Sequence, residues 1–225
     1  MNSNELAAFI DHTLLKPGAT KEEILKICTE AKTYGFTTVC VNSTYIKLVT
    51  DVLKGSKTKP ITVVGFPLGT ASSASKVCEA KEALLAGAQE IDMVLNISAL
   101  KGKDYSLVLN DIRQVVETVR PVSVKVILET ASLTKNEKII GCALAKAAGA
   151  HFVKTSTGFG GGGATIEDIK LMREVVGPDM GVKASGGIKT YEDAIKMIEA
   201  GANRLGTSSS VAIVTGSKIN NPQTY

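Results

Sequence analysis

One small motif recurs along the chain and limits the folds it can adopt. It is a glycine flanked by apolar residues and followed at once by an apolar, strand-like run. Since glycine readily takes the left-handed conformation that ends many helices, each copy predicts a helix that stops and a strand that starts. Successive glycines are 52, 62 and 52 residues apart, which leaves room for further strands between them. The four copies lie at 34–36, 86–88, 148–150 and 200–202.

A second recurring signal marks helix starts. It has the form Thr-x-x-Asp/Glu, in which the threonine oxygen accepts the amide three residues on and the acid returns to the threonine amide. The acid also lies at the positive end of the helix dipole. Four such segments precede helix-like periodicity and predict four helix N-termini. They are Thr20–Glu23, Thr134–Glu137, Thr165–Asp168 and Thr190–Asp193.

Together these signals predict strands alternating with helices, which is typical of a parallel sheet. Eight strand–helix units in 225 residues favour a closed (β/α)8 TIM barrel, and an open doubly wound sheet is the alternative. No linker divides the chain, so we predict a single domain over 1–225 with a mobile tail at 216–225. The predicted strands cover 8–14, 37–42, 61–66, 90–96, 123–129, 151–156, 181–185 and 204–208. The predicted helices cover 20–33, 43–54, 72–86, 104–119, 134–148, 165–176 and 190–200.

Charged residues interrupt four of the apolar strands. Asp92, Lys125, Lys154 and Lys183 each lie within such a run. Lysine is almost never fully buried without a partner, and an ion pair would account for one of them. Three lysines are poorly explained in this way, because uncompensated buried charge costs several kcal/mol. The pattern therefore favours a functional cluster.

The chemistry that fits such a cluster is nucleophilic attack by an amine. A lysine with a pKa near 10.4 is neutral in only about one molecule in a thousand at pH 7. A second ammonium ~5 Å away costs roughly 3 kcal/mol at an effective dielectric of ~20, and desolvation acts in the same direction. Lys154 and Lys183 on adjacent strands would supply this arrangement, with Asp92 transferring protons through a water. These residues alone leave open which lysine is the nucleophile.

Glycine-rich turns follow strands seven and eight, where barrel enzymes often bind phosphate. The alternative is that these are ordinary tight turns. A further run at 158–163 matches G-x-G-x-x-G, but the position expected for a ribose-binding acid holds Lys183, so we interpret it as a flexible loop facing the substrate. The residues predicted to bind phosphate or substrate are Gly158, Gly186, Gly187, Gly206, Ser208 and Ser209.

Composition narrows the function classes. The net charge of +4 is dispersed, and the low aromatic content without tryptophan argues against nucleic-acid binding. The N-terminal segment resembles no signal peptide and no apolar run reaches ~18 residues, so we expect no membrane association. The two histidines are far apart, and we predict no metal. Four widely spaced cysteines, Cys28, Cys40, Cys78 and Cys142, suggest buried, reduced thiols and a cytoplasmic protein.

Motifs along nearly the whole chain resemble those of deoxyribose-phosphate aldolase, a class I aldolase family. The resemblance implies a (β/α)8 barrel that reversibly cleaves 2-deoxy-D-ribose 5-phosphate to D-glyceraldehyde 3-phosphate and acetaldehyde, in deoxynucleoside breakdown and without a cofactor. It implies that Lys154 forms the Schiff base, Lys183 lowers its pKa, and Asp92 donates and accepts protons. The motifs are IDHTLLKP (10–17), VCVN (39–42), VVGFPLG (63–69), EIDMVLN (90–96), KVILET (125–130), FVKTSTGF (152–159), VKASGGI (182–188) and RLGTSS (204–209).

Two further expectations come from the same resemblance. Dimers are common in the family, so we expect a homodimer. Some members end in a tail whose terminal tyrosine reaches the active site, and this chain ends in Tyr225. The alternatives are another Schiff-base aldolase of sugar phosphates, a transaldolase, or a non-catalytic barrel that binds a phosphate metabolite.

Overall fold

The computed structural model describes residues 1–216 and folds them into a closed barrel of eight parallel strands. The strands follow one another in chain order, and the first pairs with the last. The barrel prediction is therefore confirmed, and the open-sheet alternative is wrong. The strands are β1 (Ile10–Leu14), β2 (Thr38–Val41), β3 (Lys59–Val64), β4 (Glu90–Val94), β5 (Ser123–Ile127), β6 (Phe152–Lys154), β7 (Gly181–Ser185) and β8 (Arg204–Thr207).

Helices surround the barrel and connect its strands. Three short ones were not predicted from the sequence: the first, the fifth and the tenth. The helices are α1 (Ser3–Ala7), α2 (Lys21–Tyr34), α3 (Ile46–Val52), α4 (Ser73–Leu85), α5 (Ile97–Lys101), α6 (Tyr105–Val119), α7 (Lys135–Ala147), α8 (Ile166–Val176), α9 (Tyr191–Glu199) and α10 (Ser210–Thr215). Among residues 1–216, no helix combines the length and the apolar character needed to cross a membrane.

The predicted helix starts are formed, with one difference. Complete reciprocal capping boxes begin α2, α7 and α9. At α8 the Thr165 hydroxyl accepts the Asp168 amide, but the return bond to the Thr165 amide is absent. The Asp168 carboxylate instead accepts a 2.6 Å bond from Lys138 on the neighbouring helix. An ion pair has thus taken the place of half the predicted box.

The predicted glycine-based helix ends are confirmed. Gly35, Gly87, Gly149 and Gly201 have φ of 73°, 99°, 83° and 117°, a region that favours glycine. At Gly87 there is also no room for a side chain, because a Cβ would lie 2.4 Å from Cγ2 of Thr50. These residues redirect the chain from each helix into the next strand.

The barrel interior closes toward the N-terminal ends of the strands around an aromatic ring. Phe152, the first residue of β6, lies with its ring centroid 5.8 Å from the Lys125 ammonium and 5.5 Å from the Arg204 guanidinium. Cations held against an aromatic face gain a modest electrostatic stabilisation. Phe152 therefore forms the floor beneath the charged residues of the interior.

The cysteine prediction is confirmed in part. All four are free thiols, and Cys28, Cys40 and Cys142 are buried. Cys78 is exposed on α4, so its predicted burial is wrong. The residue lies on the solvent side of an amphipathic helix, a position that spacing along the sequence did not identify.

Candidate active site

Three lysines converge on one aspartate inside the barrel. Asp92 pairs in register with Lys125 across β4 and β5, and Lys154 pairs with Lys183 across β6 and β7. Asp92 Oδ1 accepts a 2.9 Å bond from Lys125 Nζ. Its Oδ2 accepts bonds from Lys154 at 2.9 Å and from Lys183 at 2.8 Å. The predicted convergence is therefore present.

Further charged residues complete this network. Asp11 on β1 binds Lys183 through one oxygen and Arg204 through the other, at 2.8 Å for the arginine. Glu90 on β4 lies 2.6 Å from the Lys125 ammonium and 3.3 Å from Arg204. We call these residues the buried charge cluster. Its members are Asp11, Glu90, Asp92, Lys125, Lys154, Lys183 and Arg204.

Two members of the cluster, Asp11 and Arg204, were not predicted from the sequence. Asp11 lies in a buried strand, but three of the five residues of that strand are polar, so Asp11 does not interrupt an apolar run as Asp92 does. Arg204 lies at the first position of β8, where a charged residue is ordinary and carries no such signal.

The numbers of positive and negative groups in the cluster are unequal. Three carboxylates face four cations if every group is ionised, which leaves one positive charge in excess. Neutralising one lysine balances the cluster, and unbalanced buried charge is strongly unfavourable. Lys59 also contacts Glu90 at 3.3 Å, but it is half-exposed and screened by solvent. One neutral lysine is thus the favoured state of this interior.

Local contacts identify that lysine as Lys154. Burial lowers the pKa of Lys154, and the Lys183 ammonium lowers it further, against the opposing attraction of Asp92. Burial also disfavours charge on Lys183, but Asp11 and Asp92 together raise the pKa of Lys183 well above its ordinary value. Lys154 has one carboxylate partner where Lys183 has two, so its amine loses its proton more easily.

Asp92 is a carboxylate in this arrangement. Burial opposes its ionisation, but the ammonium groups of Lys125, Lys154 and Lys183 together hold the pKa of Asp92 well below its ordinary value. Asp92 is therefore an ionised carboxylate that accepts hydrogen bonds from all three lysines.

The buried Glu129 holds the segment that follows β6 in place. Glu129 has φ of 57°, a left-handed conformation uncommon for residues other than glycine. Its carboxylate accepts the Thr157 amide at 3.2 Å and also the Thr157 hydroxyl. Because this conformation arises from tertiary contacts, no local sequence signal identified Glu129.

The turns after β7 and β8 lie side by side. Gly186 and Gly187 have φ of 85° and 79°, so the first turn requires glycine at both positions. The Thr207 hydroxyl donates to the Ile188 carbonyl at 2.8 Å and accepts the Ser209 amide at 2.9 Å. One hydroxyl thus joins the two turns that were predicted to bind phosphate.

Gly206, also predicted to bind phosphate, lies within β8 beside the Lys183 side chain. A Cβ at this position would lie 2.9 Å from Cε of Lys183 and 3.1 Å from Cβ of Ser185. Gly206 therefore makes space for the lysine side chain within the barrel.

The glycine-rich segment after β6 is closely packed. A Cβ on Gly160 would lie 2.6 Å from Cδ of Glu129, and one on Gly163 would lie 2.4 Å from the Gly186 carbonyl oxygen. Gly158 has φ of 92°. These glycines permit close backbone approach, whereas the sequence interpretation assigned the segment to flexibility. Tyr225, the predicted tail contribution, lies outside the described residues.

A (β/α)8 barrel with a lysine of lowered pKa beside a second cation has the features of an enzyme that uses an amine nucleophile. Residues 6–216 match the family described as DeoC/LacD family aldolase, and the chain belongs to this family.

Similar proteins cover nearly the whole chain. A Thermococcus kodakarensis protein named deoxyribose-phosphate aldolase is 60% identical over 220 residues, covering 96% of this chain and 98% of the relative. A crystal structure described as a putative deoxyribose-phosphate aldolase from Coccidioides immitis has a TM-score of 0.94 at 47% identity, covering 96% of this chain and 87% of that one. A deoxyribose phosphate aldolase from Aeropyrum pernix, described as having a unique tetrameric structure, has a TM-score of 0.90 at 34% identity, covering 96% and 92%.

Proposed function

We propose that this enzyme reversibly cleaves 2-deoxy-D-ribose 5-phosphate to D-glyceraldehyde 3-phosphate and acetaldehyde. The observation that carries the proposal is the buried Lys154 at the end of β6, whose pKa is lowered by burial and by the neighbouring Lys183, in a chain of this aldolase family. The relatives named above support the choice of substrate.

In the first half of the reaction Lys154 is the nucleophile. Its neutral amine attacks C1 of the open-chain aldehyde, and the resulting carbinolamine takes up a proton from solvent and loses water to give an iminium ion. The iminium draws the electrons of the C2–C3 bond as that bond breaks, which leaves an enamine on Lys154. The C3 hydroxyl loses its proton, and C3 becomes the carbonyl carbon of glyceraldehyde 3-phosphate.

In the second half the enamine takes up a proton at C2. Water then adds to C1 of the iminium, acetaldehyde leaves, and the Lys154 amine is restored. Asp92, which begins as a carboxylate, accepts the C3 hydroxyl proton through a water and returns a proton to C2. Lys183 remains an ammonium and keeps the pKa of Lys154 low.

The phosphate binds at the paired turns after β7 and β8. Gly186, Gly187, Ser208 and Ser209 supply backbone amides and hydroxyls there, and Gly158 lies on the adjoining loop. We further propose a cytoplasmic homodimer. The tetrameric relative makes sedimentation equilibrium the decisive measurement of assembly, and a tetramer in solution would contradict the dimer.

The substrate assignment is tested by comparing sugar phosphates. The purified enzyme is assayed with 2-deoxyribose 5-phosphate, a keto-deoxy sugar phosphate and a transaldolase donor, and glyceraldehyde 3-phosphate release is followed by a coupled dehydrogenase. We expect the first substrate to give the highest kcat/KM. Preference for either of the others would overturn the assignment and leave a Schiff-base barrel enzyme of another specificity.

A pair of variants tests the role of Lys154. Lys154→Arg keeps a long basic side chain but cannot form an imine, so we expect activity to fall by more than about a thousandfold. Lys59→Arg changes a half-exposed lysine that contacts the same cluster through Glu90, and it should retain activity within about twofold.

A further inference from the structure

Outside the buried charge cluster, β1 carries a second buried polar group that the reaction does not use. His12 follows Asp11 and points to the opposite face of the strand, toward the helices. Its Nδ1 lies 2.8 Å from the hydroxyl of Ser210 on α10, and its Nε2 lies 2.8 Å from a carboxylate oxygen of Glu30 on α2. His12 and Ser210 are both buried.

The arrangement of serine, histidine and acid resembles a hydrolytic triad but lacks the access that hydrolysis needs. The Ser210 side chain is fully buried and directed at protein atoms. A nucleophilic serine must meet a substrate carbonyl beside donors for the developing oxyanion. The hydrogen-bonded residues Glu30, His12 and Ser210 are therefore not a hydrolytic site, and their bonds hold other parts of the protein in place.

Through Ser210, this hydrogen-bond chain contacts the paired turns after β7 and β8. The Ser210 hydroxyl also lies 3.1 Å from the Thr207 carbonyl oxygen. Thr207 is the residue whose own hydroxyl joins the two turns, and it pairs in register with His12 across β1 and β8. Ser210 directly follows Ser208 and Ser209, so its position determines where that turn can lie.

The number of available protons determines which hydrogen bonds Ser210 makes. Ser210 has one hydroxyl proton but two close acceptor positions, His12 Nδ1 and the Thr207 carbonyl. Glu30 fixes the other nitrogen as a donor, and the hydrogen bond with His12 lowers the pKa of Glu30, which keeps it a carboxylate. A neutral His12 accepts from Ser210, whereas a protonated His12 donates to Ser210 and lets Ser210 donate to Thr207. In either case Ser210 remains fastened.

We propose that His12 and Ser210, oriented by Glu30, are positioning residues that hold the turn after β8 in the geometry that binds the substrate phosphate. They touch no reacting atom. The inference rests on the proposed function and deepens it, because it separates recognition of the phosphate from chemistry at Lys154.

The test compares 2-deoxyribose 5-phosphate with unphosphorylated 2-deoxyribose in the full-length enzyme. Ser210→Ala should raise KM for the phosphorylated sugar and lower the phosphorylated-to-unphosphorylated ratio of kcat/KM by about tenfold. Activity on unphosphorylated deoxyribose should stay within about twofold, because that substrate makes no use of the site. Inorganic phosphate, as an inhibitor of deoxyribose cleavage, should bind correspondingly less tightly.

Two histidine variants provide a matched comparison. In His12→Asn the amide occupies the place of Nδ1 and can still bond Ser210, whereas in His12→Gln it occupies the place of Nε2 and reaches Glu30 instead. We expect the ratio to fall about threefold for His12→Asn and about tenfold for His12→Gln. Thr33→Ala, which removes an exposed α2 hydroxyl bonded to its own helix, is the control and should leave the ratio unchanged.

The outcomes separate this inference from the proposed function. A wild-type enzyme that does not prefer the phosphorylated sugar would overturn both. A wild-type preference that Ser210→Ala and His12→Gln both retain within about twofold would overturn the positioning role alone. An equal fall on both substrates would make the chain merely structural and would also overturn it. Should Ser210→Ala fail to fold, the two histidine variants give the same decision.

Discussion

Lys154 and Lys183 pair in register on adjacent strands, but their surroundings give their amines opposite tendencies. Both are buried, and burial disfavours charge on each. Lys183 recovers that loss through two carboxylates, Asp11 and Asp92, whereas Lys154 contacts only Asp92 among the described residues. Asp11 is therefore the residue that makes the pKa of Lys183 differ from that of Lys154, although it is not itself proposed to touch the substrate.

The pH dependence of imine formation follows from this difference. The Lys183 ammonium lowers the pKa of Lys154, and the amine attacks only in its neutral form, above that pKa. Removing Lys183 should raise the pKa of Lys154 and move the midpoint of imine formation to higher pH. The double variant Lys183→Met/Asp11→Asn makes this change while removing one charge of each sign, so the net charge of the cluster is kept. The rate of borohydride-trapped adduct formation with acetaldehyde, measured against pH, reports the midpoint, and an unchanged or more acidic midpoint would count against the account.

Gly206 offers a second test at a single position. A Cβ there would lie 2.9 Å from Cε of Lys183, so Gly206→Ala must displace the lysine within a tightly packed interior. We expect the free energy of unfolding to fall by about 1–3 kcal/mol and kcat/KM to fall by about tenfold or more. Gly18→Ala is the matched control, because a Cβ there has nothing within 4 Å and its φ is not positive. Equal behaviour of the two variants would contradict the proposed packing role.

Elements with strong periodic signals were predictable, and short ones were not. All eight strands were predicted, four of them because apolar runs follow glycine-ended helices, although β6 is only Phe152–Lys154 where 151–156 was predicted. Just after Lys154 the Thr155 amide still donates to the Lys183 carbonyl at 3.1 Å, and the Thr155 hydroxyl adds a bond to the Ser185 carbonyl at 2.9 Å. Helices α1, α5 and α10 were missed because five or six residues are too few to display a period of 3.6.

Some residues of the site could be predicted from the sequence, and others could not. Asp92, Lys154 and Lys183 could be predicted because a charge in a buried strand is anomalous by itself. Glu129 and the Glu30–His12–Ser210 chain could not, because contacts between distant elements give these residues their places. Sequence separation of 198 residues between His12 and Ser210 leaves no local pattern to recognise.

The complete capping box of α7 gives a prediction at the scale of one helix. Thr134 accepts the Glu137 amide, and Glu137 returns to the Thr134 amide at 2.7 Å. Thr134→Ala should lower the free energy of unfolding by about 1 kcal/mol, measured by urea denaturation. Thr118→Ala removes a hydroxyl bonded within its own helix, α6, and should change stability by less than about 0.5 kcal/mol. A Thr134→Ala variant as stable as this control would contradict the capping role.

At the scale of the whole molecule, a buried ion pair ties the outer helices to the barrel. Lys76 on α4 donates to Asp111 on α6 at 2.6 Å and to the Val94 carbonyl at 3.0 Å, where β4 ends. Lys76 and Asp111 are buried, and Gly65 leaves space for the lysine stem, since a Cβ there would lie 2.8 Å from Cε of Lys76. This contact secures the strand that carries Asp92.

Removing one partner of this pair should destabilise the protein more than removing both. Lys76→Met leaves Asp111 buried without its cation, and we expect the free energy of unfolding to fall by about 3–5 kcal/mol. The double variant Lys76→Met/Asp111→Leu removes both charges and should recover part of that loss. Denaturant unfolding of the three proteins decides, and a double variant less stable than Lys76→Met would contradict the stated cause.

We infer that Lys154 carries the neutral amine of the buried charge cluster and forms the covalent bond to substrate. Incubation with acetaldehyde and sodium borohydride, followed by tryptic mapping with mass spectrometry, tests it directly. The account predicts a reduced ethyl adduct on the peptide that contains Lys154, with none on Lys183 or Lys125 and none on any of the three in Lys154→Arg. An adduct on Lys183, or no adduct in the wild-type enzyme, would contradict it.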